Sequence, residues 1–169
     1  MPARAKTTCE TTDAISLLKQ DHKKVKAMFK ELMDAPDGAA EDIARRIENE
    51  LKTHTEIEEK VFYPAFRDVA EKEEDRMLFF EATEEHHAVD LVLEDIRNAQ
   101  AGSETFLAKA KVLQELVLHH IKEEEREMMP KARKLIPREQ MKEIGQRIRE
   151  MKMDLEERMS EEMAEVSRD

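Results

Sequence analysis

Two stretches with nearly the same pattern decide the fold: His54-Thr-Glu-Ile-Glu58-Glu-Lys-Val-Phe-Tyr-Pro64 and His120-Ile-Lys-Glu-Glu124-Glu-Arg-Glu-Met-Met-Pro130. In each, a histidine is followed four residues later by a glutamate, then by a second glutamate, and ten residues after the histidine by a proline. Residues four apart on an α-helix lie about 40° apart around the axis and about 6 Å along it, so each imidazole and its carboxylate share one face. Two such faces turned toward each other would bring together ligands for a metal ion.

The composition is typical of a protein built from long helices. The chain has 169 residues, enough for one domain with a sizeable core, and charged residues make up 41% of it. Aromatic residues make up only 4%, with Gly 3 and Pro 5, whereas a β-sandwich or barrel needs more turn-forming and aromatic residues. The predicted fold class is therefore all-α.

Charge and cysteine content exclude several kinds of partner and site. A net charge of −11 repels phosphate backbones, and the basic residues are interspersed with glutamate, so nucleic acid is not an expected partner. The first ten residues lack the apolar stretch of a signal peptide, and no segment has the roughly 20 apolar residues of a membrane span, so we expect a cytoplasmic protein without membrane contact. Cys9 is the single cysteine, so any metal must be bound by nitrogen and oxygen.

Four amphipathic helices are predicted between residues 12 and 135, after a leader at residues 1–11 that we expect to be disordered. Polar breaks at residues 35–38, 71–75 and 100–103 separate them. Thr12 or Asp13 is expected to cap the first helix and Ser103 the fourth, and Pro64 is expected to kink or end the second. Long helices joined by short breaks pack antiparallel, which predicts an up-down-up-down four-helix bundle.

Residues 136–169 are predicted to form one more amphipathic helix. Its apolar side chains recur every three or four residues along a narrow stripe. The stripe consists of Met141, Ile144, Ile148, Met151, Leu155, Met159, Met163 and Val166. We favour a helix that folds back on the bundle. The alternative is a homodimer, or a protein partner, bound through this methionine-rich stripe.

One histidine of each bundle helix lies in phase with the inward apolar residues. These are His22, His54, His86 and His120. A single core histidine is usually satisfied by hydrogen bonds, but four in phase with two inward glutamates, Glu58 and Glu124, are hard to explain in that way. Buried carboxylates must be paired, protonated or bound to metal. Nitrogen and oxygen donors without thiolate favour iron or manganese over calcium or magnesium.

The two halves of the bundle match each other in sequence. His22 aligns with His86 at an offset of 64, and His54 with His120 at an offset of 66. Our hypothesis is that each of two metal ions receives two histidines while Glu58 bridges them together with the glutamate of the other stretch. An oxo or hydroxo bridge and an exchangeable position for a small molecule would complete the ligand sets.

The order of histidines and His-x-x-x-Glu pairs, with Tyr-Pro or Met-Pro after each pair, resembles the bacterial hemerythrin-like proteins, the His-His-Glu cation-binding domain family. The resemblance covers about residues 13–135, and Leu135-Ile-Pro137 followed by Ile144-Gly145 is similar to the C-terminal extension of that family. It implies a non-haem diiron centre, with Fe2+ and Fe3+ states. The implied ligands are His22, His54, Glu58, His86, His120 and Glu124.

Two departures bear on the activity that the resemblance implies. Oxygen-carrying hemerythrins have a further histidine one turn after the ligand of the third helix, and an aspartate in place of the glutamate of the fourth. Here these positions hold Asp90 and Glu124. The resemblance therefore implies that O2, peroxide or nitric oxide is bound or reduced, and oxygen storage is the weaker interpretation. Family members that repair iron centres usually carry a cysteine-containing N-terminal domain, for which Cys9 is a poor substitute.

Three function hypotheses stay open. The first is a peroxide- or nitric-oxide-consuming oxidoreductase or a binder of a small oxidant. The second is a module that stores or senses iron or oxygen without turnover. The third is a metal-free helical interaction protein with an incidental histidine core.

Two side chains near the ligands have two interpretations each. Asp90 follows His86 by four residues and is either an additional ligand or an ion-pair or hydrogen-bond partner of a liganding histidine, which we favour. Tyr63 is either a phenol that reaches the site or a packing residue with its hydroxyl at the rim, and we favour the rim.

The remaining polar neighbours of the ligands are assigned by helical phase. His87 and His119 are predicted to face solvent or make helix contacts. Glu59, Glu123 and Glu125 are predicted to form a solvated acidic face, with Glu59 and Glu125 also able to orient a ligand histidine.

Overall fold

The computed structural model describes residues 13–36 and 38–166, with side chains described through residue 161. In this part of the chain the regular secondary structure is entirely helical. The predicted leader, Cys9 and Thr12 lie outside the described residues.

The described chain consists of seven α-helices and two short π-helical segments. In order they are α1 (Ala14–Met33), α2 (Ala40–Ile57), π1 (Glu58–Phe62), α3 (Tyr63–Val69), α4 (Glu73–Arg97), α5 (Glu104–Glu123), π2 (Glu124–Met128), α6 (Met129–Leu135) and α7 (Arg138–Val166). Because π1 joins α2 directly to α3, and π2 joins α5 to α6, the bundle has four long helical segments: α1, α2 to α3, α4, and α5 to α6. Helix α7 is added to these four. The predicted all-α bundle with an extra C-terminal helix is confirmed.

The predicted helix starts have the expected caps. The carboxylate of Asp13 accepts a hydrogen bond of 3.0 Å from the Ser16 backbone N–H at the start of α1. The hydroxyl oxygen of Ser103 accepts one of 3.1 Å from the Phe106 backbone N–H at the start of α5. Gly102, just before that cap, has a φ of +74°, a conformation that glycine adopts without strain.

Replacing Ser103 by alanine is expected to lower the free energy of unfolding by about 1 kcal/mol, because the first turn of α5 loses its side-chain acceptor. Urea unfolding followed by circular dichroism measures this change. Ser160→Ala is the matched control, because Ser160 is exposed within α7 and caps no helix start. An equal change in both variants would contradict the capping role.

Both prolines of the defining stretches follow a π-helical turn. The Tyr63 backbone N–H donates to the carbonyl of Glu58, and the Met129 N–H donates to the carbonyl of Glu124, a spacing of five residues. The helix does not end at Pro64, one of the two outcomes expected from the sequence, since α3 continues to Val69. Pro64 lies in the first turn of α3, where a missing N–H is tolerated.

Two apolar clusters enclose one polar layer of the bundle. One cluster lies toward the end formed by the start of α1, α3 and α6, and it includes Leu18, Phe62 and Phe66. The other lies toward the loops after α1 and α4, and it includes Phe29 and Leu93. The histidines and glutamates singled out above lie between the two clusters, so apolar side chains exclude water from both sides of them.

Helix α7 folds back on the bundle, as we favoured from the sequence. Met141, Ile144, Ile148 and Leu155 are buried in the cluster that includes Phe62. The chain itself covers these four side chains of the stripe. The side chains of Met163 and Val166 lie outside the described residues. Across the described ranges, no helix is both long and apolar enough to cross a bilayer.

Candidate metal centre

The six predicted ligands converge in the polar layer, from α1, α2, π1, α4, α5 and π2. Each has at most 5% of its surface exposed. They are His22, His54, Glu58, His86, His120 and Glu124. Burial of so many ionisable groups in one layer is costly unless they neutralise one another or bind a cation.

One half of the centre is built around His22 and His54. Their Nε2 atoms are 3.1 Å apart. Glu58 Oε1 lies 3.1 Å from the Nε2 atom of His54, and Glu124 Oε2 lies 3.2 Å from that of His22. These four side chains form a group whose ligand atoms all lie within 4.8 Å of one another.

The other half repeats this arrangement around His86 and His120. Their Nε2 atoms are 3.2 Å apart. Glu58 Oε2 lies 3.4 Å from the Nε2 atom of His86, and Glu124 Oε2 lies 3.5 Å from that of His120. Glu58 thus directs a different oxygen to each half, whereas Glu124 places a single oxygen between them.

Outer carboxylates hold three of the four imidazoles by their Nδ1 atoms. Their oxygens lie 2.8 to 2.9 Å from these nitrogens, which is hydrogen-bond distance. The pairs are Glu125 with His22, Glu59 with His86, and Glu85 with His120. Because a carboxylate accepts the proton of Nδ1, it directs the Nε2 lone pair of each ring into the centre.

The fourth imidazole has a looser partner. Asp21 Oδ2 lies 3.7 Å from the Nδ1 atom of His54, which is too long for a hydrogen bond. Asp21 is itself buried and forms an ion pair with Lys152 of α7. When the two halves of the sequence are aligned, Asp21 matches Glu85, and each directly precedes one of the predicted ligand histidines. This alignment could have identified the two carboxylates as histidine partners, which helical phase alone did not.

The close approach of the Nε2 atoms is the feature that fits a metal. If Nδ1 carries the proton in each ring, two Nε2 lone pairs 3.1 Å or 3.2 Å apart repel each other unless a cation lies between them. The buried atoms His54 Nδ1, Glu58 Oε1 and Glu124 Oε2 also make no hydrogen bond. Since buried polar atoms are normally paired, these oxygens are suited to a positively charged ligand.

The pKa values of His54 and Glu58 reflect the close packing of ionisable side chains in the centre. Burial disfavours an imidazolium, but the carboxylates of Glu58 and Asp21 raise the pKa of His54 to about 10. Burial likewise disfavours the Glu58 carboxylate, yet His54, His120 and His22 hold its pKa well below the usual range. Protons therefore compete with a metal ion for the same lone pairs.

Tyr63 reaches the centre, and the rim position that we favoured from the sequence is wrong. The side chain is fully buried, and its O–H donates to Glu124 Oε1 over 2.9 Å. The hydroxyl oxygen is also 3.3 Å from the Nε2 atom of His86. Burial and the carboxylates of Glu124 and Glu58 raise the pKa of Tyr63 well above its ordinary value, so the phenol keeps its proton.

The π turn accounts for this placement. On a continuous α-helix, Tyr63 would lie about 140° around the axis from Glu58, five residues earlier. In a π turn, residues five apart are stacked on one side, so the phenol lies beside the carboxylate. The equivalent position after Glu124 holds Met129, so only one half of the centre faces a phenol.

The other predicted neighbours lie outside the ligand groups. Asp90 and His87 are exposed on α4, along a surface groove that also includes Glu59. His119 is 59% exposed, and its Nε2 lies 3.2 Å from Glu123 Oε1. Asp90 therefore has no place among the buried ligand atoms of the described residues.

Comparison with known proteins gives three findings. The family model for the hemerythrin HHE cation-binding domain matches residues 13–132. A DNA nickase of Nostoc sp. is 24% identical over 144 residues, which cover 85% of this chain and 40% of the relative, so the chain spans about two fifths of that protein's length. The crystal structure of a hemerythrin HHE cation-binding domain-containing protein from Mycobacterium kansasii has a TM-score of 0.75 at 21% identity, covering 85% of this chain and 87% of that one. This last likeness concerns the fold.

Proposed function

Because this chain belongs to the hemerythrin HHE cation-binding domain family, we propose that it is a non-haem diiron protein that binds or reduces a small oxidant, namely O2, peroxide or nitric oxide. The observation that carries the proposal is the position of Glu58, whose two carboxylate oxygens face two separate pairs of histidines. A carboxylate placed in this way suits two neighbouring cations better than one.

In the proposed centre, His22 and His54 would hold one ion and His86 and His120 the other, and Glu58 and Glu124 would offer carboxylate oxygens to both. Bound iron would supply the one-electron redox chemistry that amino-acid side chains lack. Imidazole and carboxylate donors suit iron, and the two buried ligand groups found among the described residues contain no thiolate that would favour zinc.

The side chains around the centre keep the ligands in place and exclude water. Glu59, Glu85 and Glu125 fix the ring orientation of their histidines, and the apolar clusters close the layer above and below. Tyr63 holds a proton at its hydroxyl, beside Glu124 Oε1 and the Nε2 atom of His86. A crevice that reaches Glu124 has a volume of about 10 Å³, which is room for about one water molecule.

Metal analysis of protein produced with ample iron tests the proposal. We expect about two iron ions per chain and a charge-transfer band in the near ultraviolet that changes on reduction and reoxidation. His86→Ala is expected to lower the content toward one ion, because one pair loses a nitrogen donor. His87→Ala, which alters the exposed neighbour in the sequence, is expected to leave both the content and the spectrum unchanged. Equal losses in the two variants would contradict the assignment.

Turnover distinguishes the oxidoreductase from the storage or sensing module. A steady-state peroxide assay, with nitric oxide consumption measured in parallel, would show turnover in the first case and stoichiometric binding alone in the second. The metal-free interaction protein is disfavoured by the facing Nε2 atoms and the unpaired carboxylate oxygens. If the purified protein holds no metal and the His54→Ala variant is as stable as the parent, the hypothesis of a metal-free interaction protein is supported instead.

The activity named for the Nostoc relative is not part of this proposal. That protein is a DNA nickase, and this chain covers 40% of it. A net charge of −11 opposes binding to a phosphate backbone.

A further inference from the structure

The two halves of the bundle differ at the positions that lead from the surface to the centre. The offsets of 64 and 66 residues that align the ligands also align four neighbouring positions. In the first half these hold Leu17, Asp21, Thr53 and Ile57. In the second half they hold Glu81, Glu85, His119 and Glu123. The first half therefore has one ionisable side chain at these positions, and the second half has four.

Helix α7 covers the first half at these positions. Lys152 forms an ion pair with Asp21, and the Thr53 hydroxyl donates to the sulfur of Met159 over 3.5 Å. The equivalent face of the second half is open. The exposed fraction of the side chain falls from 59% for His119 to 39% for Glu123 and 26% for Glu85. The open face thus has three side chains of types that commonly bind metals, and they become progressively more buried from His119 to Glu85.

Three of these side chains are close enough to share one cation. The Nε2 atom of His119 lies 3.2 Å from Glu123 Oε1 and 3.6 Å from Glu85 Oε1. The ligand atoms of the three residues lie within 4.8 Å of one another. The ion-pair contacts of these two carboxylates are with histidines: Glu85 with His119 and His120, and Glu123 with His119.

A small crevice lies between two members of this group and Glu124 of the centre. Glu85 and Glu123 line it on the outer side and Glu124 on the inner side, with Ala82 and Met128 as apolar walls. Glu124 is only 2% exposed, and its Oε2 atom makes no hydrogen bond. Glu85 belongs to both places, because its Oε2 is 2.8 Å from the Nδ1 atom of His120 while Oε1 faces His119. Glu85 thus contacts both the outer group and a histidine of the centre.

We propose that Glu85, His119 and Glu123 form an outer site for a divalent first-row metal ion, through which iron(II) reaches the buried centre. The site rests on the proposed function, since it supplies metal to that centre. Two carboxylates and one imidazole suit such an ion, and their partial exposure suits transient binding. The net charge of −11 raises the local concentration of cations around the protein, and so at this outer site.

The double variant His119→Ala, Glu123→Gln tests the proposal and leaves Glu85 in contact with His120. In the first experiment, iron-loaded protein is titrated with Mn2+ while free Mn2+ is followed by electron paramagnetic resonance. The parent is expected to bind about one Mn2+ per chain in addition to its iron, and the double variant none.

The second experiment follows uptake of iron(II) by metal-free protein under anaerobic conditions, with samples passed through a desalting column at set times. The double variant is expected to load at least about tenfold more slowly and to reach the same final iron content, because only the route is altered. The matched control is His87→Ala, Glu56→Gln, which removes one imidazole and one carboxylate from the surface groove between α2 and α4. It is expected to load at the rate of the parent.

The outcomes separate this inference from the proposed function. If the parent binds no additional Mn2+, or if the double variant and the control load equally fast, the outer site is refuted while the diiron centre stands. If the metal-free parent takes up no iron at all, the proposed function fails, and the outer site fails with it.

Discussion

Replacing Glu58 by alanine is expected to weaken binding at both proposed metal positions by about 100-fold or more, because one carboxylate faces both histidine pairs. Loss of a mere hydrogen-bond partner of a ligand typically costs roughly 10–100-fold, so loss of a shared ligand should exceed that range. The measurement is the iron retained per chain after equilibration with a graded series of chelator concentrations. Circular dichroism of the same samples reports whether the bundle is still folded.

Glu56→Ala is the matched control for this experiment. Glu56 lies two residues earlier on α2 and pairs with Lys60 on the outer side of the helix. Its removal is expected to leave iron retention unchanged. If Glu58→Ala loses one ion and keeps the other at the affinity of the parent, Glu58 serves one half of the centre and does not bridge.

Replacing Ile148 by alanine is expected to lower the free energy of unfolding by about 2–5 kcal/mol, the usual cost of emptying a fully buried isoleucine site. Ile148 is 1% exposed and lies in the apolar cluster that includes Phe62 of π1. The effect is large because α7 is part of the core and does not merely lie on the surface. Urea unfolding of metal-free protein measures it without a contribution from bound metal.

Met153→Ala on the same helix is the control, since Met153 is 69% exposed. A change within about 0.5 kcal/mol is expected there, as for most surface substitutions. If Ile148→Ala costs no more than Met153→Ala, α7 does not pack on the bundle as described.

Helical periodicity was sufficient to predict the helices and which of their faces lies inward. His119 and His120 are neighbours in the sequence, and a rotation of about 100° per residue separates them. The structure exposes the first by 59% and buries the second to 5%. Capping preferences placed Thr12 or Asp13, and Ser103, at helix starts, because an N-cap is a local interaction between residues three apart; Asp13 and Ser103 are the caps observed.

Periodicity failed where the helix changes its own repeat. Tyr63 was expected to pack with its hydroxyl at the rim, but π1 brings it to the side of Glu58 and within reach of Glu124. The two prolines, Pro64 and Pro130, marked an irregularity in the sequence without revealing its kind. Whether a helix responds to a proline by ending, bending or widening one turn depends on the packing on both sides of it.

What the sequence alone determined is the local part of this protein: the helices, their inward stripes, and the six histidines and glutamates that these stripes bring inside. Only the tertiary structure decided which helix meets which. It paired Asp21 and Glu85 with histidines of other helices, left Asp90 on the surface, and laid α7 over one half of the bundle while the other half stayed open. Contacts within a helix repeat with a known period, whereas contacts between helices depend on the packing of the whole core.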